Sequence, residues 1–198
     1  MVYNREAGKK LAVKHLSGFS SEYMMMKLQH SFDVGEFAYK VAARIKKMHP
    51  ACHVDAELAG FLGYVHDIGR ARNNHLHELH TIDMLVEEGI DRDIARMAMH
   101  SQLLEQYGEK EGDVQKYLPV GIEGMILTYA DMVVKTGSPI SIDERVADVA
   151  ERTRKSRQMN PELIREILES LPRAVRRFKR YERIVFLLAG VGSAKEFI

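Results

Sequence analysis

From Ser31 to Met48 the apolar residues Val34, Phe37, Val41 and Ile45 recur at intervals of three and four, the period of one buried face of an α-helix, and Pro50 ends the pattern. The same period returns along the chain. Asp55 is suited to cap a helix over 56–66 whose inner face carries Ala59, Leu62 and His66. Residues 70–76 read as a polar loop, 81–88 as a helix stopped by Gly89, and Asp91 as the cap of a helix running to about Gln106. The stretch 108–119 reads as an exposed charged loop. The most apolar helix is predicted over 121–134, broken by Gly137, Ser138 and Pro139, and a last helix over 183–188. Runs of strand type are missing, and 5 Pro and 14 Gly in 198 residues leave few interruptions. The expectation is an all-α helical bundle forming a single domain over 1–198.

Charge and cysteine narrow the function classes. Lys and Arg total 29 against 28 Asp and Glu, so no global field implies nucleic acid or an anionic membrane. Locally, 151–183 holds eleven basic residues against five acidic ones, which makes 138–198 a basic helical extension. One Cys cannot form an internal disulfide, and no run approaches the roughly 20 apolar residues of a membrane span. The protein is expected to be soluble and cytoplasmic, in a reducing compartment, with no membrane partner.

Nine histidines are the unusual part of the composition. His30 shares a helical face with Val34, Phe37 and Val41, at i, i+4, i+7 and i+11. His66 and Asp67 sit where an apolar helix runs into Gly69. Asp131 lies between Leu127 and Val134 on the stripe of the most apolar helix. A buried carboxylate costs several kcal/mol unless it is paired or bound to a cation, at about the scale known for buried ions. Three helices thus direct two His and two Asp towards one core region. Such a mixed nitrogen and oxygen donor set suits Fe, Mn, Zn, Co or Ni better than Ca or Mg.

The order His30, His66-Asp67, Asp131, with Ile68-Gly69 after the pair and Gly60-Phe61-Leu62-Gly63-Tyr64-Val65 before it, resembles the HD-domain superfamily of metal-dependent phosphohydrolases. The resemblance spans about 27–137 and includes Leu127-Thr128-Tyr129-Ala130-Asp131. It implies a helical fold with a metal site in the core. It also implies that extra histidines, matching His77 and His100, make this chain similar to the branch holding two ions, with Asp67 shared between them. In the cluster His75, His77 and His80, the choice of ligand stays open at this point. The implied activity is hydrolysis of a phosphomonoester or phosphodiester of a nucleotide or nucleotide-like small molecule by a metal-activated water, with one or two divalent transition ions.

Arg70, directly after the ligand pair, would grip a phosphate in bidentate fashion, which makes Asp67 and Arg70 the candidate catalytic residues. The competing reading is an RNA- or nucleotide-binding module with a structural or vestigial metal site. It draws on the basic segment that includes Arg173, Arg176, Arg177, Lys179 and Arg180. Nucleic acid is the less favoured partner.

Overall fold

The computed structural model describes residues 2–18, 21–100, 104–135, 137–156 and 159–198. The chain is all-α, with α1 (Arg5–Leu16), α2 (Glu22–Met48), α3 (Ala56–Val65), α4 (His77–Glu87), α5 (Arg92–Arg96), α6 (Leu104–Glu111), α7 (Gly121–Val133), α8 (Ile142–Lys155) and α9 (Pro161–Ala189). A two-residue antiparallel ribbon, β1 (Val134–Lys135) and β2 (Ser138–Pro139), turns the chain between α7 and α8. Among the described residues, no helix is long and apolar enough to cross a membrane.

Local chemistry explains where the helices start. Asn4, Ser21, Asp55, Asp91 and Asn160 each cap a helix by accepting a backbone N–H with the side chain, and Ser141 and Glu144 form a reciprocal capping box on α8. At the other end of α9, Gly190 takes the left-handed conformation (φ 64°) that closes a helix without a Cβ penalty.

The central element is α3. Ala59, Phe61, Leu62, Tyr64 and Val65 are all fully buried, so beyond its first turn this helix has no solvated face. It is surrounded by α1, α2 and α7. The approach of α2 and α3 is set by two glycines, since a Cβ on Gly63 would stand 2.6 Å from the Gly35 Cα. The Tyr64 ring lies over Gly35, and its hydroxyl donates to Glu36. This close crossing brings the His30 turn of α2 beside the C-terminal end of α3.

Several segments differ from the sequence expectations. Helix α2 begins at Glu22, nine residues before the expected start at Ser31, which puts His30 inside the helix. The helix capped by Asp91 stops at Arg96, short of the expected Gln106; residues 101–103 of that span lie outside the described residues. The chain leaves the helix there, with Ala98, Met99 and His100 all buried and the His100 Nδ1 turned to the Ala98 carbonyl. The segment 108–119 is no exposed loop. It contains the end of α6 and a 3₁₀ turn over Val114–Tyr117, and Tyr117 is buried against Gly108. The final helix is continuous from Pro161 and carries Pro172 within it.

The α2–α3 crossing gives a direct test. Alanine at position 63 gains about 1 kcal/mol of helix propensity over glycine, but it meets backbone at 2.6 Å, which no rotamer change relieves. Gly63→Ala is expected to lower unfolding stability by at least about 1–3 kcal/mol in urea titration. A neutral or stabilising result would remove this crossing from the account.

Candidate metal centre

The His66-Asp67 pair lies at the corner where α3 ends. His66 is the helix C-cap, and after Asp67 the chain enters a 3₁₀ turn over Ile68–Ala71. Thr81 of α4 clamps this corner, its hydroxyl donating to the His66 carbonyl at 2.9 Å and accepting from the Gly69 N–H at 2.9 Å. The fit is tight, because a Cβ on Gly69 would lie 2.0 Å from the His77 carbonyl oxygen. Leu76 adopts a left-handed conformation (φ 52°, ψ 35°) immediately before α4. That backbone region costs a bulky residue about 1–3 kcal/mol, and it turns the chain so that His77 opens α4 facing the corner.

All six predicted ligand residues come together. The Asp67 Oδ1 lies 3.0 Å from His77 Nε2, 3.7 Å from His66 Nε2 and 3.8 Å from His100 Nε2. The Asp131 Oδ1 accepts from His30 Nε2 at 2.9 Å and lies 3.6 Å from His66 Nε2. Three donor sets result, His30/His66/Asp67, His66/His100/Asp131 and Asp67/His77/His100, each with ligand atoms within 4.8 Å of one another. Of the three clustered histidines, His77 is the one that enters a set; His75 is exposed and His80 half-buried.

Hydrogen bonding decides what these rings offer. His66 Nδ1 is 2.7 Å from the Gly63 carbonyl and His100 Nδ1 is 2.8 Å from the Ala98 carbonyl. A carbonyl only accepts, so each Nδ1 carries the hydrogen and each Nε2 turns inward with its lone pair. His77 Nδ1 has the Asn74 carbonyl at 3.3 Å and the Glu78 carboxylate at 3.3 Å. Such backing of a ring nitrogen by carbonyl or carboxylate is the usual support of a metal-ligating histidine. The result is a group of acceptors facing acceptors. Asp67 Oδ2 is met by Arg70, whereas His66 Nε2, His77 Nε2 and Asp67 Oδ1 are buried without a hydrogen-bond partner. A cation at their centre satisfies all of them, so the residues present fit a divalent transition metal.

The protonation states agree with that reading. Burial would raise the Asp67 carboxyl, but the Arg70 guanidinium (Nε to Oδ2, 2.8 Å) and Lys27 (3.4 Å) outweigh it and hold the group well below the usual carboxylate range. Burial likewise would raise Asp131, and the hydrogen bond from His30 with His66 nearby keeps it well below. Burial pulls His100 down to about 4, so its ring is neutral at physiological pH. His66 behaves oppositely: burial would lower it, yet Asp67 and Asp131 together raise it. The two carboxylates thus favour positive charge at this point, the place that a bound cation would take.

Sequence reasoning missed the surroundings. A cleft of about 390 Å³ opens onto the cluster, and its walls include Lys27 of α2 and Arg145 and Arg152 of α8 as well as Arg70. Arg145 donates to the Asp131 carbonyl at 3.2 Å, and its Nε is buried without a hydrogen-bond partner. The basic segment is thus not wholly external, since Arg152, Thr153, Met159 and Ile167 face the cleft. No spacing rule marks these residues. The one available signal was Lys27, three residues before His30 and so on the same helical face.

The family model for the HD domain matches residues 28–156. A curated protein of Methanocaldococcus jannaschii, itself uncharacterised, is 30% identical over 146 residues, covering 71% of this chain and 83% of that protein. Among solved structures, the HD domain of the L. monocytogenes phosphodiesterase PgpH aligns with a TM-score of 0.43 at 16% identity, covering 85% of this chain and 97% of that one. The same domain in complex with cyclic-di-AMP aligns with a TM-score of 0.43 at 17% identity, over 83% and 93%.

Two measurements follow from the geometry. His77→Ala is expected to lower metal content by elemental analysis, whereas His80→Ala leaves it unchanged; the reverse pattern would reassign the ligand. Because Asp67 and Asp131 raise the His66 pKa, metal and proton compete for this ring over a range that extends to higher pH than for a free imidazole. Titration calorimetry of the metal in two buffers of different ionisation enthalpy should show net proton release, with affinity falling as pH drops from 8 towards 6. Uptake with no proton release would contradict the placement of a cation beside His66.

Proposed function

We propose that this chain, which belongs to the HD domain family, is a metal-dependent phosphohydrolase acting on a nucleotide or nucleotide-like phosphate ester. The observation that carries this reading is the buried set of inward-facing acceptors, His66 Nε2, His77 Nε2 and Asp67 Oδ1, at the foot of a cation-walled cleft. Acceptors call for a metal, and the cations around them call for an anionic ligand. His30, His66, Asp67 and Asp131 would hold one ion, and Asp67, His77 and His100 a second. Ions of the Fe, Mn, Co, Ni or Zn type would supply Lewis acidity and water activated at neutral pH.

The chain's own residues account for the rest. Arg70 keeps Asp67 ionised inside the protein, so that carboxylate is ready to be shared. The Gly63 and Ala98 carbonyls fix the tautomer and tilt of His66 and His100 before any ligand arrives. Lys27 and Arg145 face the cleft from opposite elements and would neutralise phosphoryl oxygens as negative charge grows on them. Burial of the cluster, with His66 and Asp67 at 0% and 1% exposure, keeps bulk water from weakening these interactions. With metals and pre-oriented cations doing this work, no covalent nucleophile is needed.

The binding-module reading has weaker support. Several cations of the basic segment are matched by carboxylates, as in Arg173 with Glu109, Lys179 with Asp143 at 2.7 Å and Lys155 with Glu151. Paired cations offer less to a nucleic-acid backbone.

The deciding experiment is a screen of nucleoside phosphates and phosphodiesters with added Mn, alongside Asp67→Ala. Turnover by the wild type, and loss of both metal and turnover in the variant, is the expected result. Arg70→Ala should retain turnover but lose about 10- to 100-fold in kcat/KM, the scale of one charged hydrogen bond. Full metal content and activity in Asp67→Ala would sink the proposal.

A further inference from the structure

A second cleft, of about 400 Å³, lies on the other side of Lys27, His30, Arg145 and Arg152, and these same residues line the first. The two hollows therefore meet at the cations that stand over the metal centre. Their remaining walls differ. The first has an apolar floor of Val149, Met159 and Ile167. The second is walled by Tyr23 and Met26 from the start of α2, with the carboxylates of Asp33 and Asp148.

The chemistry of the second hollow favours a nucleoside arm. Asp148 is held by Lys135 at 2.8 Å and by Arg152 at 3.0 Å, so the cations at that end of the wall are engaged with a carboxylate. Asp33 accepts from the Gln29 amide at 2.9 Å and has acceptor capacity to spare for ligand hydroxyl or amino groups. Tyr23 is 39% exposed and Met26 58%, a ring and a thioether at the mouth, with the Lys27 ammonium 5.8 Å from the ring centroid. The Tyr23 hydroxyl is tied to Asn74 at 3.0 Å, which fixes the ring while leaving it open to stacking. A stacking ring, hydroxyl-accepting carboxylates and a volume within the range of small-molecule sites describe a nucleoside pocket.

Resting on the phosphohydrolase reading, we propose that this second cleft is a substrate subsite for an uncharged nucleoside arm. One phosphate would sit at the junction beneath Lys27 and Arg145, one organic arm in each hollow, and Tyr23 would hold the second arm by stacking. The preferred substrates are then phosphodiesters joining two nucleosides, and the start of α2 sets that preference. A monoester fills only half of the available surface.

The test compares binding of two hydrolysis-resistant probes to the Mn-loaded protein by equilibrium dialysis: ApA with a phosphorothioate link, and adenosine 5′-thiophosphate. The wild type should bind the two-armed probe about tenfold tighter or more, the scale of one base stacked on an aromatic ring. Tyr23→Ala should erase most of that preference while leaving the one-armed probe within about twofold, and Tyr23→Phe should restore it. Equal weakening of both probes, or a wild type without preference, overturns the subsite. If the one-armed probe binds and monoesters are hydrolysed without such a preference, the subsite fails and the phosphohydrolase stands. If neither probe binds and no phosphate ester is turned over, both readings fall together.

Discussion

Burying Asp67 is the constraint to which most of this architecture responds. An ionised carboxylate with 1% exposure, inside helices made of Leu, Ile, Val and Phe, is strongly unfavourable unless positive charge is brought to it. Arg70 meets one oxygen from the next turn of the chain, and Lys27 reaches the same oxygen from α2. The other oxygen faces three imidazole nitrogens, and those rings are tethered at their far side so that lone pairs point inward. The compensation is complete on one side of the carboxylate and open on the other. Selection for stability alone would have closed both.

The scaffold that holds this arrangement is stiff where the ligands leave it. Glycines at 35 and 63 let α2 and α3 cross at backbone contact, and Gly69 lets α4 lie directly on the corner after α3. Small residues at such points convert helix packing into a fixed spacing between side chains projected from different helices. The left-handed Leu76 is the local strain that this geometry entails, placed one residue before a ligand. Its side chain packs against the main core, which is how the strain is sustained.

Much of this was legible in the sequence, for identifiable reasons. A histidine or aspartate on an apolar stripe is a contradiction visible in one dimension, so His30, His66, Asp67 and Asp131 stood out. His77 and His100 came from resemblance, and the residues alone left His75, His77 and His80 undecided. Only the turn at Leu76 distinguishes them, because it sets which ring opens α4 towards Asp67. Helix starts followed the caps read at Asp55 and Asp91, whereas the break after Arg96 and the start of α9 at Pro161 were invisible. After Arg96, the chain turns out of the helix although the apolar spacing continues the helical period.

The cations lining the cleft were the least legible part, and the reason is physical. A buried ligand must be explained by its neighbours, but Arg145 and Arg152 occur on an amphipathic helix where basic residues are ordinary. What separates them is what they face. Arg152 is matched by Asp148, and Arg70 by Asp67, so each already has a carboxylate at contact distance. Arg145 instead donates to a backbone carbonyl, a neutral acceptor. That carbonyl belongs to Asp131, whose carboxylate is in the metal cluster. The helix supplying the candidate anion grip is therefore anchored to a candidate metal ligand through one residue, so that displacement of α7 by loss of the metal would also displace the guanidinium. Metal and anion binding at this centre should accordingly be coupled, each favouring the arrangement that the other requires.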